Sequence, residues 1–361
     1  MVFPLSLTQV ELENFRSHRH RSLKLGGATI FVGPNGVGKT NILEAIWCLA
    51  TTRPFRTSRD SELIHWEAAS TAVVGDAFEM RLVREPIIRK ALFIGGVPRR
   101  PLEYLGELRA VLFTPDSLAI LSGPPRERRR FLDTLLAQGD RSAARELVAY
   151  RQLLVQRNAL LRLIHLGQAG AGELEPWDSQ LIVLGSRLTQ RRADILDILV
   201  PQILKYYGRL GGLEARSLAI MYQPIGSADP AVFAERLAAN RAREIALQVT
   251  LVGPHRDDFL VSLRGHPLAD YGSRGEIRTV LLALKWAEYD YLARDQETRP
   301  ILLLDDLFSE LDPAHRQALA EFLDNVQAVI TTTDCGHLPQ HLTKRATIIE
   351  LDYPKSVGNQ L

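Results

Sequence analysis

Disulfide chemistry has almost nothing to work with in this chain, whose two cysteines, Cys48 and Cys335, stand far apart and outside any CxxC pair. No histidine cluster sits at metal-ligand spacing either. Neither a disulfide framework nor a structural zinc site is therefore supported, and a reducing compartment fits best. Long apolar stretches are also missing: no uncharged run approaches about 18 residues, and Met1 to Ser17 lacks a basic start followed by an apolar segment. The expectation is a soluble, cytoplasmic protein with no membrane partner. Charge of one sign is lacking too. With a net charge of +2, no strong overall field advertises nucleic acid, so a DNA surface has to be a local patch. Lysine is scarce, at seven of the 44 Lys and Arg residues. Arginine, the better fork for phosphate, supplies the rest, although genomic base composition gives the same bias and scattered charge is ordinarily a solvated face. There is no internal repeat and no low-complexity tract.

What remains is ordinary globular composition, 46% apolar and 24% charged, on a chain of 361 residues, which is long for one core and points to two bodies. Short β segments are expected at Thr8 to Asn14, Ala28 to Val32, Ala72 to Phe78, Met80 to Arg84 and Ala91 to Ile94, with a helix at Asn41 to Leu49. From Arg141 leucines recur at helical spacing, through Leu147, Leu154 and Leu161 and again through Leu181, Leu188 and Ile195. The stretch GQAGAGELEP at Gly167 to Pro176 interrupts them. Two antiparallel helices of about 25 to 30 residues would form an arm of roughly 40 Å; a helical subdomain packed into a core is the plainer alternative. After Gly212 strands return at Ser217 to Gln223, Phe259 to Leu263, Ile301 to Leu304, Ala328 to Thr333 and Ala346 to Leu351, with a helix from Arg274 to Ala293.

Gly33 to Thr40 reads GPNGVGKT, between the apolar strand ATIFV and the helix NILEAIWCLA. Strand, glycine-rich loop and helix are the context in which Gly33, Pro34, Asn35, Gly36, Val37 and Gly38 can turn backbone N–H groups toward phosphates. The helix N-terminus adds partial positive charge. Lys39 would meet the β- and γ-phosphates, and Thr40 would ligate Mg²⁺. ILLLDD at Ile301 to Asp306 supplies a buried strand ending in two acids. Asp305 would bind Mg²⁺ directly or through water; Asp306 points elsewhere and is either the group that polarises the attacking water or a solvated loop acid. No NKxD guanine motif occurs, so ATP is expected rather than GTP. A P-loop core needs only a few βαβ units between Lys39 and Asp305, so something large is inserted.

Ser273, Arg274, Gly275 and Glu276 open a long helix. As a capping box, Ser273 caps and Glu276 reaches back; as an ABC signature, the same helix N-terminus meets a γ-phosphate. Ser309 to Asp312, SELD, likewise reads both as an N-cap before Pro313 and as the D-loop that follows Walker B.

The order of these motifs resembles the RecF family of ABC-type ATPase heads along nearly the whole chain. GPHRDDF at Gly253 to Phe259 is the most specific piece, joined by ENFRSH at Glu13 to His18, PFRT at Pro54 to Thr57, FTPDSL at Phe113 to Leu118 and GPPRERRRFLD at Gly123 to Asp133. The implied fold is α/β: an ABC-type P-loop head split over residues 1–118 and 212–361, with a helical arm at 119–211. The resemblance further implies an ATP-driven homodimer that binds DNA at single-strand gaps, hydrolyses ATP slowly and works with RecR and RecO to load RecA. Carried over by position, Asn14 and Arg16 should contact nucleotide, and Ser273 to Glu276 should cap the partner's γ-phosphate. An SMC- or Rad50-like tether would carry far longer coiled coils, and an ABC transporter subunit would lack the arm and GPHRDDF. A nuclease would need a further acidic metal cluster.

Two departures stand out. No Gln lies between Gln9 and Gln138, where an ABC head offers its lobe glutamine, and the switch histidine is replaced by TTTDCGH, with Thr332, Thr333 or Asp334 first and His337 later. For DNA contact, single-stranded, duplex or gapped, the candidates are Arg126, Arg128, Arg129 and Arg130, with Arg56 and Arg59 as a second group. The alternative is intramolecular or dimer salt bridges.

Overall fold

The computed structural model describes residues 6–84, 86–211, 217–294 and 299–353. They form two compact units, Met1–Ser117 with Leu292–Leu361, and Leu118–Tyr291.

The first unit is built from both chain ends. Its five-stranded parallel sheet runs in the order Thr347–Glu350, Ala28–Val32, Ala328–Thr332, Ile301–Asp305 and Ala110–Phe113. The central strands ATIFV, AVITT and ILLLD are apolar almost throughout and buried residue after residue, as strands covered on both faces must be. A six-stranded sheet in the order His18–Lys24, Gln9–Phe15, Ser70–Gly75, Phe78–Val83, Arg89–Ile94 and Val97–Arg99 is antiparallel throughout. Gln9–Phe15 alternates exposed and buried positions, the signature of a sheet with one wet face. Helix Lys39–Thr51 joins the two sheets: its Ile42, Leu43, Ile46 and Leu49 share one core with Phe31, Leu303 and Val329 of the parallel sheet and Leu12, Val73 and Leu82 of the antiparallel one.

The second unit contains the expected hairpin, Arg141–His165 packed on Glu175–Arg209, of 25 and 35 residues. It is braced rather than bare. Helix Pro230–Leu247, which the sequence pattern did not single out, packs on both hairpin helices. Arg157, fully buried, ties all three together: it donates to Asp178 at 2.9 Å, to Glu244 at 2.7 Å and to the Thr250 hydroxyl at 2.8 Å.

The expected domain boundary at residue 212 needs correction. Residue 212 itself lies outside the described residues, but the α/β segment after it belongs to the same unit as the hairpin. The reason is packing. Strand Leu218–Gln223 lies on helix Glu175–Arg209, and strand Asp258–Leu263 lies on helix Pro125–Gly139, where Phe259 meets Phe131 edge to face at 6.5 Å. Helix Arg274–Leu292 joins them through Trp286, whose ring meets Tyr206 at 5.3 Å. No described helix is long and apolar enough to cross a membrane.

Candidate functional site

The glycine-rich loop leaves the end of strand Ala28–Val32 and enters helix Lys39–Thr51, at the carboxyl end of a parallel strand, where α/β sheets bind ligands. Two of its glycines are sterically required. A Cβ on Gly33 would lie 2.3 Å from the Leu351 carbonyl oxygen, and Gly38 has φ 101° with the His18 ring 2.6 Å from where its Cβ would be. Lys39 Nζ donates to the carbonyls of Gly33 at 2.6 Å and Pro34 at 2.9 Å. Burial lowers its pKa, against the attraction of Asp306 and Asp305.

Thr40 Oγ1 lies 2.9 Å and 3.0 Å from the two carboxylate oxygens of Asp305. Thr331 Oγ1 donates to Asp305 Oδ1 at 2.7 Å and accepts from the Asp306 backbone N–H at 3.0 Å. Asp306 stands in the left-handed region, φ 47°, and its Oδ1 is buried with no hydrogen-bond partner. A buried acceptor of that kind suits a bound water. Among the described residues no three His, Cys, Asp or Glu side chains form a metal cage. A hydroxyl beside one carboxylate is instead the sparse donor set of Mg²⁺, which keeps several waters and takes further oxygens from phosphate.

Lys39, Thr40, Asp305 and Asp306 line a cleft of about 530 Å³ together with Ser17, Asn35, Gly36, Gly38, Asn41, Phe55, Arg56, Thr114, Pro115 and Asp116, a size within the range of small-molecule sites. Asn14 and Arg16 are not among its walls. Arg16, at φ 53°, grips the fully buried Glu44 through bonds of 2.9 Å and 3.1 Å, so its guanidinium organises the helix after the loop. Arg56 moves the other way, from the DNA group into the cleft wall, where it donates to Asn41 Oδ1 at 2.8 Å. Arg59 stays exposed.

Where an ABC head offers its lobe glutamine, this chain brings Thr114, Pro115 and Asp116 to the cleft wall, just after strand Ala110–Phe113; that strand pairs with Ile301–Asp305, Phe113 opposite Leu304. Thr331, just before the stretch where a switch histidine is expected, contacts Asp305, while Thr332 bonds Asp334 and His337 ends a short 3₁₀ turn. Three residues escaped the motif reading. His18 Nε2 lies 3.0 Å from the Gly38 carbonyl, Tyr353 donates to the Asn35 carbonyl at 2.6 Å, and Thr331 joins the acids. His18 carried a signal as the last residue of ENFRSH and Thr331 as the first of TTTDCGH, whereas Tyr353 carried none.

Ser273 and Glu276 make the capping box: Ser273 N and Oγ each donate to Glu276 Oε2 at 2.8 Å, and Glu276 N donates to Ser273 Oγ at 3.2 Å. Gly275 has nothing within 4 Å of a Cβ position, and Arg274 stands exposed at the helix start. Asp312 caps helix Pro313–Phe322 through the His315 N–H at 3.0 Å, and Ser309 Oγ donates to the Asp306 carbonyl at 2.7 Å.

A family model described as an AAA ATPase domain matches residues 6–95. DNA replication and repair protein RecF of Moorella thermoacetica is 43% identical over 354 residues, covering 96% of this chain and 95% of its own. The chain belongs to the RecF family. RecF of Chloroflexus aurantiacus is 39% identical, with 90% of this chain and 92% of its own covered. A solved structure of the recombination mediator protein RecF with ATP in the RecFOR pathway superposes with a TM-score of 0.83 at 29% identity, covering 91% of this chain and 92% of that one. An Smc head bound to the winged-helix domain of ScpA matches at a TM-score of 0.51 and 16% identity over 95% of this chain and 93% of that one, a likeness of fold alone. The α/β, ABC-type ATPase head is thus the fold.

GPHRDDF, the segment that most specifically marked the RecF resemblance, is an internal hub of the second unit. The Pro254 carbonyl accepts from Arg192 at 2.5 Å, and His255 is held between Tyr150 OH at 2.8 Å and the Thr250 carbonyl at 2.9 Å. Burial pulls the His255 pKa down to about 4. Buried Asp257 accepts from the Ile225 N–H at 2.7 Å and from Tyr222 OH. Asp258 takes both forks of Arg128, at 2.6 Å and 2.9 Å. Arg128 therefore has to leave the DNA group: it is buried, and its planar fork is already filled by a carboxylate. Arg129 also turns inward, donating to the Asp257 carbonyl at 2.8 Å, and burial lowers its pKa. Arg126, largely exposed, pairs with Glu127 at 2.8 Å, and Arg130 is exposed.

Proposed function

We propose that this chain is an ATP- and Mg²⁺-dependent DNA-binding ATPase of recombinational repair. It acts as an ATP-driven homodimer at single-strand gaps, hydrolyses ATP slowly with stimulation by DNA, and works with RecO and RecR in loading RecA. The observation that supports this most is the contact of Thr40 with Asp305, beside Lys39 and the unpartnered oxygen of Asp306, in a member of the RecF family. Lys39 Nζ would exchange the carbonyls of Gly33 and Pro34 for β- and γ-phosphate oxygens. Thr40 Oγ1 and Asp305 would hold Mg²⁺, which neutralises phosphate charge when bound. Asp306 would take up a water at its free oxygen and align it on the γ-phosphate. Ser273 to Glu276 of the second copy would close the far side of the γ-phosphate through the helix N-terminus, with Ser309 and Asp312 on the loop that follows the acids.

Lys39→Met tests the reading. It should abolish tight ATP binding and, with it, the ATP-dependent part of DNA binding, both measured on the full chain with Mg²⁺ present. DNA binding that stays ATP-dependent in this variant would refute the assignment of the site.

A further inference from the structure

Strand His18–Lys24 is an edge of the six-stranded sheet, and its sequence HRHRSLK is basic or histidine at five of seven positions. On a chain with a net charge of +2 this is a local concentration. Side chains alternate along a strand, so Arg19 and Arg21 project on one side of the edge and His20 and Lys24 on the other. Arg19 pairs with Glu67 and His20 approaches Glu11 at 3.7 Å, while Arg21 and Lys24 make no ion pair among the described residues. Charge on an edge strand ordinarily guards against edge-to-edge pairing. That purpose gains nothing from an exposed indole, yet Trp66, 71% exposed, stands at the start of this strand.

The indole is fixed in place. It stacks on the buried His65 ring, centroids 4.0 Å apart and 27° between planes. The segment carrying it is tied to the turn before the strand: the Arg16 N–H donates to the Leu63 carbonyl and the His65 N–H to the Asn14 carbonyl, each at 2.8 Å, and Phe15 bridges Ile64. Glu67, the next residue, receives Arg19. A held aromatic face beside two arginines, Arg19 and Arg21, on one side of the edge is what a single nucleic-acid strand needs, a platform for an unstacked base and cations for its phosphates. Duplex DNA keeps its bases stacked and offers nothing to the indole.

We infer that strand His18–Lys24 and Trp66 form a binding site for single-stranded DNA, with an unpaired base on Trp66 and backbone phosphates on Arg19 and Arg21. This rests on the DNA-binding reading above and gives it a place. The strand also begins at the nucleotide loop, where His18 meets the Gly38 carbonyl and Asn41 donates to Ser17 Oγ at 2.7 Å.

The test uses the full chain with Mg²⁺ and ATP and a labelled oligothymidylate, followed by fluorescence anisotropy across a salt series. Trp66→Ala should weaken binding about fivefold or more, and Trp66→Phe should restore most of it. Quenching of intrinsic tryptophan fluorescence by unlabelled oligothymidylate should vanish in Trp66→Phe. Arg19 and Arg21 changed together to Gln should lower the log–log salt slope by about 1.4, near 0.7 for each phosphate no longer neutralised. A blunt duplex and an abasic oligomer of equal length should not respond to Trp66→Ala. ATP affinity, measured separately, should be that of the wild type in all these variants, which certifies their folding. Oligothymidylate binding unchanged by both sets of substitutions, or equal losses of duplex and single strand in Trp66→Ala, would overturn the site and leave the patch to a protein partner. Wild-type protein that binds no DNA at all would instead remove the DNA-binding reading itself.

Discussion

Asp306→Asn separates the chemistry of this site from its architecture. Asp306 occupies the left-handed region at φ 47°, which Asn enters as readily as Asp. Its anchoring bonds to Thr331 are made by the backbone N–H, at 3.0 Å to Oγ1 and 3.2 Å to the carbonyl. The substitution should therefore keep the loop. What it removes is the negative charge at the unpartnered Oδ1 and the largest attraction acting on the Lys39 ammonium. Without that charge the water loses its general base, and kcat should fall by about 10²-fold or more, equivalent to roughly 2.7 kcal/mol of barrier. Two opposing effects act on ATP affinity: Lys39 is held less firmly in its charged form, while an anion facing the phosphates is gone. They offset, so the dissociation constant should stay within about tenfold of wild type. Steady-state ATPase assays give the first quantity, and calorimetric titration with Mg²⁺ and ATP gives the second. An ATP-bound dimer should accumulate. Turnover at the wild-type rate would make Asp306 a solvated bystander; turnover and binding lost together would make it a structural cap.

Ser273→Arg should bind ATP yet neither dimerise nor hydrolyse, and Lys39→Met should fail for want of a working loop. Mixed equally at a concentration where wild type dimerises, the two should recover roughly a quarter of normal ATPase sites, given closed two-fold pairing; Ser273→Arg hydrolysing at the wild-type rate by itself would reduce Ser273 to a helix cap. Arg128→Gln strands the Asp258 carboxylate and should destabilise the fold by about 3 kcal/mol, read as a lower urea midpoint, with the salt dependence of DNA binding unchanged. A changed salt slope at unchanged stability would return Arg128 to the DNA surface. His255, with its pKa depressed to about 4, binds its proton more weakly folded than unfolded. Stability is therefore full above about pH 6.5 and declines as pH falls toward 4, by up to about 3 kcal/mol at the lower limit. His255→Gln should flatten that part of the profile in urea titrations, and an unaltered slope would place the pH response elsewhere.

Chemistry that depends on neighbours in the chain was legible from the amino acids alone. Gly33 to Thr40 and Ile301 to Asp306 announce themselves because a phosphate nest needs consecutive backbone groups and a buried parallel strand needs an unbroken apolar run. The capping box at Ser273 and Glu276 is local for the same reason, as is the helical spacing of the hairpin leucines. Strand His18–Lys24 gave no such signal: an edge strand tolerates HRHRSLK because its partner supplies the pairing and half of it faces water. Helix Pro230–Leu247 and the true extent of the second unit were equally silent, since both depend on what packs against them. Tertiary structure alone decided which arginines are free. Arg128, Arg129, Arg16 and Arg56 share one side-chain type and look alike in sequence, yet the fold brings Asp258, the Asp257 carbonyl and Glu44 to the first three and turns the fourth into the nucleotide cleft. A guanidinium forks onto whatever acceptor lies within its reach of about 3 Å, and that acceptor here comes from residues tens to more than a hundred positions away.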